Sequence, residues 1–186
     1  MLIDSLPSAE LTDGVRLTVL RTADAEALAD AYRRNRDHLE PWEPLRGEGF
    51  FTAEGQRSAI AAKLALLDAG TEVPWVIRQE DRIIGTITLT GIVRGPFLSA
   101  NLGYWVDGGC TGGGIGTSAA AAVVGIARDR LGLHRVQAAT LVHNTASQRI
   151  LRRLGFDRIG RAPQYLKIAG RWQDHELYQR ILQEPQ

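Results

Sequence analysis

A chain of 186 residues with 44% apolar and 23% charged positions has the length for one domain with a sizeable core, and its composition excludes extended disorder. The formal charge of +1 offers no strong field for nucleic acid or an anionic membrane, although Lys63 and Lys167 are the only lysines among its 22 basic residues. Cys110 is the lone cysteine, so no internal disulfide forms, and no Cys/His cluster has zinc spacing, so no metal is expected.

The N-terminus, Met1-Leu2-Ile3-Asp4-Ser5-Leu6-Pro7, lacks the basic start and long apolar core of a signal peptide. The longest apolar run, around Ala119 to Ala127, falls short of the roughly 20 residues a bilayer needs. The expectation is a cytoplasmic protein without membrane contact.

Val15 to Leu20 alternates as a strand with one buried face. Thr22 or Asp24 can cap a helix to about Arg34, with Ala27, Leu28, Ala31 and Tyr32 on its apolar side. Asn35 to Leu45 carries Pro41 and Pro44 around the bulky Trp42. It reads as a loop or short helix whose polar groups face a substrate, or more plainly as a loop pinned by Trp42. Thr52 opens a second helix, with Ile60, Ala61, Leu64 and Leu67 at helical spacing, and Gly70 ends it.

The period then changes. Val73 to Gln79 and Arg82 to Thr90 form a hairpin around Glu80-Asp81, and Leu98 to Asp107 makes a further strand. Its alternation sets Leu102, Tyr104 and Val106 on one face and Gly103 and Trp105 on the other. Cys110-Thr111-Gly112-Gly113-Gly114-Ile115-Gly116-Thr117-Ser118 follows and runs into an alanine-rich helix to about Leu131. His134 to Val142 is the next strand, so a strand, a crossover helix and a strand imply a locally parallel pair. Asn144 caps a helix over Thr145 to Leu154, stopped by Gly155. Phe156 to Lys167 and Arg171 to Leu182 are the last strands.

The glycine loop feeds a helix N-terminus, where free N–H groups and the macrodipole favour phosphate; a glycine-rich turn capping a buried helix is the plainer reading. Gly114-Ile115-Gly116-Thr117-Ser118-Ala119 fits the G-x-G-x-x-A dinucleotide fingerprint, but a hairpin and another strand precede it. Where that fingerprint wants an acid about 20 residues on, the chain has Val136, Gln137 and Ala138. A P-loop fails too, because no Gly-Lys-Ser/Thr follows the glycines.

Leu102-Gly103-Tyr104-Trp105-Val106, Thr111-Gly112-Gly113-Gly114-Ile115-Gly116, Asn144-Thr145-Ala146-Ser147 and Leu154-Gly155-Phe156, in this order, resemble the GNAT superfamily of acyl-CoA-dependent N-acetyltransferases. Gly103-Tyr104-Trp105, the Asn-x-x-Ser spacing and the tail from Tyr165 to His175 look most like its RimJ/RimL branch, which acetylates protein N-termini, ribosomal proteins included. The resemblance implies a single α/β (in some schemes α+β) domain over 1–186 with a core of about 10–183. Its mixed, mostly antiparallel sheet would have about seven strands flanked by about four helices.

By that resemblance the amides of Thr111, Gly112, Gly113, Gly114, Ile115, Gly116 and Thr117 hold the pyrophosphate of acetyl-CoA, and Tyr104, Trp105 and Val106 pair with its pantetheine arm as an added strand. Thr111 replaces the family's usual Gln or Arg. The Val106 amide would polarise the thioester carbonyl. Asn144 would contact the cofactor besides capping its helix, and Ser147, on nearly the same helix face, would protonate the leaving thiolate or bond the cofactor.

The usual glutamate positions hold Asn101 and Ala139, which cannot act as bases. An α-amine, with a pKa of about 7.7–8.0, needs less help than lysine at about 10.4, which favours an N-terminal acceptor. Glu43, His38 and Asp174 are substitute bases, and His38, Trp42, Glu43, Tyr165 and Asp174 are the expected substrate contacts. His134 and His143 read as structural or surface residues, and Cys110 lacks an adjacent His to make it a nucleophile. The expected partners are acetyl-CoA and an amine, with a ribosomal or other protein N-terminus first, and a homodimer is allowed. A small-amine acetyltransferase for polyamines or aminoglycosides and a non-catalytic acyl-CoA-binding module are the alternatives.

Overall fold

Backbone pairing follows the alternation in the sequence. The computed structural model describes residues 8–12 and 14–183; Met1 to Pro7, read above for a targeting signal, lies outside the described residues. The first half holds β1 (Ala9–Thr12), β2 (Val15–Val19), α1 (Ala25–Arg34), α2 (Arg36–Leu39), α3 (Ala53–Asp68), β3 (Val73–Gln79) and β4 (Arg82–Val93). The second holds β5 (Ser99–Val106), α4 (Ile115–Asp129), β6 (Arg135–Leu141), α5 (Thr145–Arg153), β7 (Asp157–Ile168) and β8 (Arg171–Ile181). These strands form one eight-stranded sheet in the order β1-β2-β3-β4-β5-β6-β8-β7, antiparallel throughout except between β5 and β6.

The mixed, mostly antiparallel sheet is the expected one, with an eighth strand and a fifth helix beyond the expected seven and four. The additions are the shortest elements. β1 is four residues whose burial only alternates between half-buried and exposed, and α2 is a single turn ahead of the Pro41 and Pro44 segment. Neither is long enough to carry a period. The expected cap of α1 is also corrected. Asp24 accepts a hydrogen bond from the Arg21 amide at 2.8 Å and pairs with Arg78, so Thr22–Asp24 forms a 3-10 turn and no side chain caps α1. Thr52 does cap α3, its hydroxyl accepting from the Gly55 amide at 3.0 Å.

Both faces of the sheet are covered. On one, α4 brings Ala119, Ala120, Val123 and Ala127 into a core with Leu17, Ile77, Ile87 and Leu102. On the other, Leu28 and Ala31 of α1 and Ile60 of α3 pack with Val76, Ile83 and Trp105. Leu17 and Ile60 are completely buried. Burial of that kind is worth roughly 1.5–3 kcal/mol per large side chain, more than helix propensity supplies, so the two cores hold the helices in place.

The sheet opens where β5 meets β6. Ser99, Ala100 and Asn101 pair with Arg135, Val136 and Gln137, and there the parallel ladder stops. β5 stays on β4 as far as Gly85 opposite Val106, whereas β6 stays on β8 as far as Leu141 opposite His175. Each strand is held by its other neighbour, so the two diverge. Gly85 allows β5 its approach, since a Cβ there would fall 2.4 Å from the Trp105 carbonyl oxygen.

Asp107, at the end of β5, locks this half. Its side chain is 4% exposed, and it accepts from Arg34 Nε at 2.8 Å, Asn35 Nδ2 at 3.0 Å, Arg82 at 3.2 Å and the Gly109 amide at 2.9 Å. Burial alone would raise its pKa, but the hydrogen bonds from Asn35, Arg34 and Gly109 outweigh it and hold the carboxyl at about 2. A carboxyl with a folded pKa below its unfolded value adds stability that is complete above the unfolded pKa of about 3.9 and is lost as pH falls through the folded one. Asp107→Asn is therefore expected to cost about 2.6 kcal/mol in urea unfolding at pH 7, at about 1.4 kcal/mol per pKa unit. The deficit relative to the native chain should shrink between pH 4 and pH 2, and a deficit constant with pH would contradict this.

Candidate active site

The divergence of β5 and β6 opens a cavity of about 720 Å³, a volume suited to a small ligand. One wall is backbone. The Asp107 amide donates to the Ile84 carbonyl at 2.7 Å, so in the antiparallel register residues 107, 105 and 103 direct their polar groups at β4. Tyr104 and Val106 then direct theirs the other way, into the cleft, beyond the last residue of β5 that pairs with β6. An extended ligand would find there a row of donors and acceptors, as an added strand does.

The glycine loop meets the cavity at Thr111, and Gly112 to Thr117 lie beyond the lining. Gly112 and Gly114 have φ of 85° and 81°, a region other residues rarely adopt, and Gly114 leads into α4 with no side-chain cap. Gly113 has an ordinary φ and nothing within 4 Å of where its Cβ would stand. The conformation of the loop thus accounts for two glycines and leaves the third free to admit a ligand. Gly116 serves packing, since a Cβ there would come within 3.1 Å of Ile150 Cδ1 on α5. Thr111 does not stand in for the usual long polar side chain, because its hydroxyl donates to the Gly108 carbonyl at 3.0 Å. Ile115 packs against the core, and Thr117 is half-buried in the first turn of α4.

Across the cleft, Asn144 caps α5 by accepting from the Ser147 amide at 3.0 Å. Ser147 Oγ lies 2.9 Å from Tyr104 Oη, so this hydrogen bond ties α5 to β5. Burial pushes the Tyr104 phenol to about 12, with the Ser147 hydrogen bond opposing it, which keeps it protonated at neutral pH. The sequence pointed only to the Tyr104 backbone; that its side chain meets Ser147 depends on α5 crossing the end of β5. Trp105 faces the other way and donates its indole N–H to Tyr32 Oη at 3.2 Å.

The lining also takes in His38, Trp42 and Glu43. The His38 ring packs on Gly108, where a Cβ would come within 3.1 Å of it. The Trp42 and His143 rings lie 5.4 Å apart. Glu43 accepts the Ala169 amide on its backbone carbonyl at 2.9 Å, and its carboxylate lies 3.8 Å from Arg46 Nε. Burial raises the pKa of Glu43, opposed by the charges of Arg46 and Lys63.

Asp174 and Tyr165 stand beside the cavity rather than on its lining: Asp174 accepts the Gln164 amide at 3.0 Å within the β7–β8 hairpin, and the Tyr165 ring rests 5.6 Å from that of His175. The residue that reaches the cavity from this hairpin is His175, which the sequence reading passed over. Its neighbour Asp174 carried the signal, because alternation along β8 turns one of any two successive residues inward. No group of three or more His, Cys, Asp or Glu among the described residues could hold a metal, and no helix there is long and apolar enough to cross a membrane.

A central sheet split between two strands, an open strand edge lining the cleft and a glycine loop at a helix start together define an acyl-CoA-dependent transferase. Residues 15–157 match the acetyltransferase (GNAT) domain family, and the chain belongs to it. It is an acetyltransferase that uses acetyl-CoA. It is 36% identical over 160 residues to the probable N-acetyltransferase YjcK of Bacillus subtilis, covering 85% of this chain and 88% of that protein. To the [ribosomal protein uS5]-alanine N-acetyltransferase of Escherichia coli it is 32% identical over 176 residues, covering 93% and 91%. Among solved structures, ribosomal-protein-S5-alanine acetyltransferase from Vibrio fischeri superposes with a TM-score of 0.91 at 33% identity, covering 96% of this chain and 98% of that one. Mycobacterium smegmatis RimJ, in complex with CoA-disulfide, gives 0.86 at 32%, covering 90% and 81%.

The loop geometry separates binding from folding. Gly113→Ala is expected to leave the melting temperature unchanged while weakening CoA binding about tenfold, or about 1.4 kcal/mol, in calorimetric titration. Gly114→Ala, at a positive φ, is expected to lose about 1 kcal/mol of stability as well. Unchanged affinity in both variants would exclude the loop from CoA binding.

Proposed function

We propose that the chain transfers the acetyl group of acetyl-CoA to the N-terminal α-amine of a protein, a ribosomal protein first among the candidates, by direct attack on the thioester. The observation that carries the choice of acceptor is the charge of the cavity lining. Among the described residues Glu43 is the one carboxylate on the lining, with Arg46 at 3.8 Å and Lys63 also on it. A polyamine or aminoglycoside brings several cations and wants several carboxylates, whereas one α-ammonium needs one. Ribosomal-protein specificity is supported by the relatives that carry that activity in their names at 32% and 33% identity over most of their length. Such an acceptor would place the reaction in the cytoplasm.

The amine nitrogen attacks the acyl carbon, a C–N bond forms and the C–S bond breaks. The Val106 amide, directed into the cleft, stabilises the negative carbonyl oxygen of the intermediate. Ser147 donates a hydrogen bond to the departing sulfur, and Tyr104 holds Ser147 in position. Complete proton transfer from Tyr104 is disfavoured, because a phenol at about 12 giving its proton to a thiolate near 8.5 runs uphill by about 5 kcal/mol. The thiolate therefore takes its proton from solvent. Glu43 draws in the acceptor ammonium.

Acetyl-CoA consumption with a panel of N-terminal peptides and small amines tests the reading. Turnover is expected on peptides, and turnover on polyamines alone would overturn it. Ser147→Ala is expected to lower kcat about 10- to 100-fold at saturating acetyl-CoA, the worth of a hydrogen bond to a charged group, and an unchanged kcat would remove that role. Glu43→Gln is expected to raise the peptide KM about tenfold with little change in kcat, measured by steady-state kinetics.

A further inference from the structure

Of the four histidines, His38, His134 and His143 are exposed, and only His175 is buried, at 3% exposure. It lies on β8 directly opposite Leu141, the last residue of β6. The Leu141 carbonyl in turn accepts the Asn144 amide at 2.9 Å, so the imidazole stands beside the strand end from which α5 and Ser147 depart. Ala139 and Leu141 share its face, and Ala139 pairs with Leu177, which makes His175 the diagonal neighbour of Ala139. Glu176 faces the other way, paired with Arg158 and Arg161. The Tyr165 ring lies 5.6 Å from the imidazole, and the titratable groups that share the cavity lining with it are His38, Glu43, Arg46, Lys63, Tyr32 and Tyr104.

His175 Nδ1 lies 2.9 Å from the Gln173 carbonyl oxygen. A carbonyl can only accept, so Nδ1 carries the hydrogen, and in the neutral ring the lone pair falls on Nε2. Among the described residues the ring makes one hydrogen bond, at Nδ1, and none at Nε2. A buried imidazole whose Nδ1–H is held by a backbone carbonyl thus offers an unengaged nitrogen base on the cavity lining. Asn101 and Ala139 supply none, and the Asp174 carboxylate is engaged by the Gln164 amide.

We propose that His175 is the catalytic base, its Nε2 taking the proton that the acceptor amine loses as it attacks the thioester. This rests on the acceptor reading above. The bound ammonium first gives one proton to solvent, and as the C–N bond forms a second N–H proton passes to Nε2 while the Nδ1–H remains on the Gln173 carbonyl. The C–S bond breaks and the thiolate takes its proton from solvent. The imidazolium then returns its proton to solvent, leaving amide, free CoA thiol and the starting enzyme.

The test is His175→Asn, whose side-chain amide can still donate to the Gln173 carbonyl but has no nitrogen base. With an N-terminal peptide as acceptor, kcat is expected to fall about 100-fold or more while the peptide KM and CoA affinity stay within about threefold. Added imidazole should restore part of the rate. A kcat within threefold of the native value would overturn the role. If the variant does not fold, nitrogen-15 NMR of the native chain decides: protonated Nδ1 with bare Nε2 at pH 8 supports it, and the reverse tautomer overturns it. A native chain that acetylates amines but no peptide would overturn the acceptor reading, whereas native peptide turnover matched by His175→Asn removes the role of His175 alone.

Discussion

The site depends on one interruption of backbone hydrogen bonding. β5 and β6 share only three paired positions before they part, and from there each is held by a different neighbour, β4 on one side and β8 on the other. Peptide groups in a sheet interior are normally paired, because an unpaired polar group away from water is costly. The amides and carbonyls of Tyr104 and Val106 are consequently a ready-made edge for an extended ligand of peptide-like chemistry. The arrangement needs rigid supports on both sides, and the two cores beneath α4 and beneath α1 and α3 provide them.

The polar scaffold ties the two ends of the cavity together. Asp107 joins the end of α1, through Arg34 and Asn35, to the turn that begins the glycine loop, and Asn35 also accepts the Gly108 amide at 2.9 Å. His38, two residues into the next helix, lies on that same Gly108. At the other end Glu43 accepts the Ala169 amide, and Leu45 crowds Gly170, where a Cβ would come within 2.8 Å of its Cδ1. The segment around Trp42 is therefore fastened to the loop at one end and to the β7–β8 turn at the other. The acceptor end takes its shape from these fastenings.

The chemistry divides along the alternation of the strands. Side chains on one face of β5 and β6 meet α4 and α5, which is why Tyr104 reaches Ser147. On the other face of β5, Trp105 meets α1 and α3 and reaches Tyr32, and His175 of β8 and Glu43 line the same cavity. A ligand in the cleft is consequently met by hydroxyl groups from one side and by ionisable groups from the other.

Much of this was legible in the order of residues. Period-two stretches marked six of the seven longer strands within a residue or two and β4 three residues short; the glycines marked the loop, and Asn144 and Thr52 marked helix starts that their side chains do cap. Such features are local, because a strand's alternation and a cap's reach extend over a few residues. β1 escaped, and α2 was left open as a loop or short helix, since four residues hold too little of any period. Asp24 looked like a cap, but the distant Arg78 claims its carboxylate, and the bulged β7–β8 hairpin ties Asp174 to the Gln164 amide, a pairing that no local pattern announces. The tertiary structure alone decided the parting of β5 from β6, the meeting of Tyr104 with Ser147 and the inward turn of His175. Each depends on which strand holds which neighbour, and that is settled by contacts between residues dozens of positions apart.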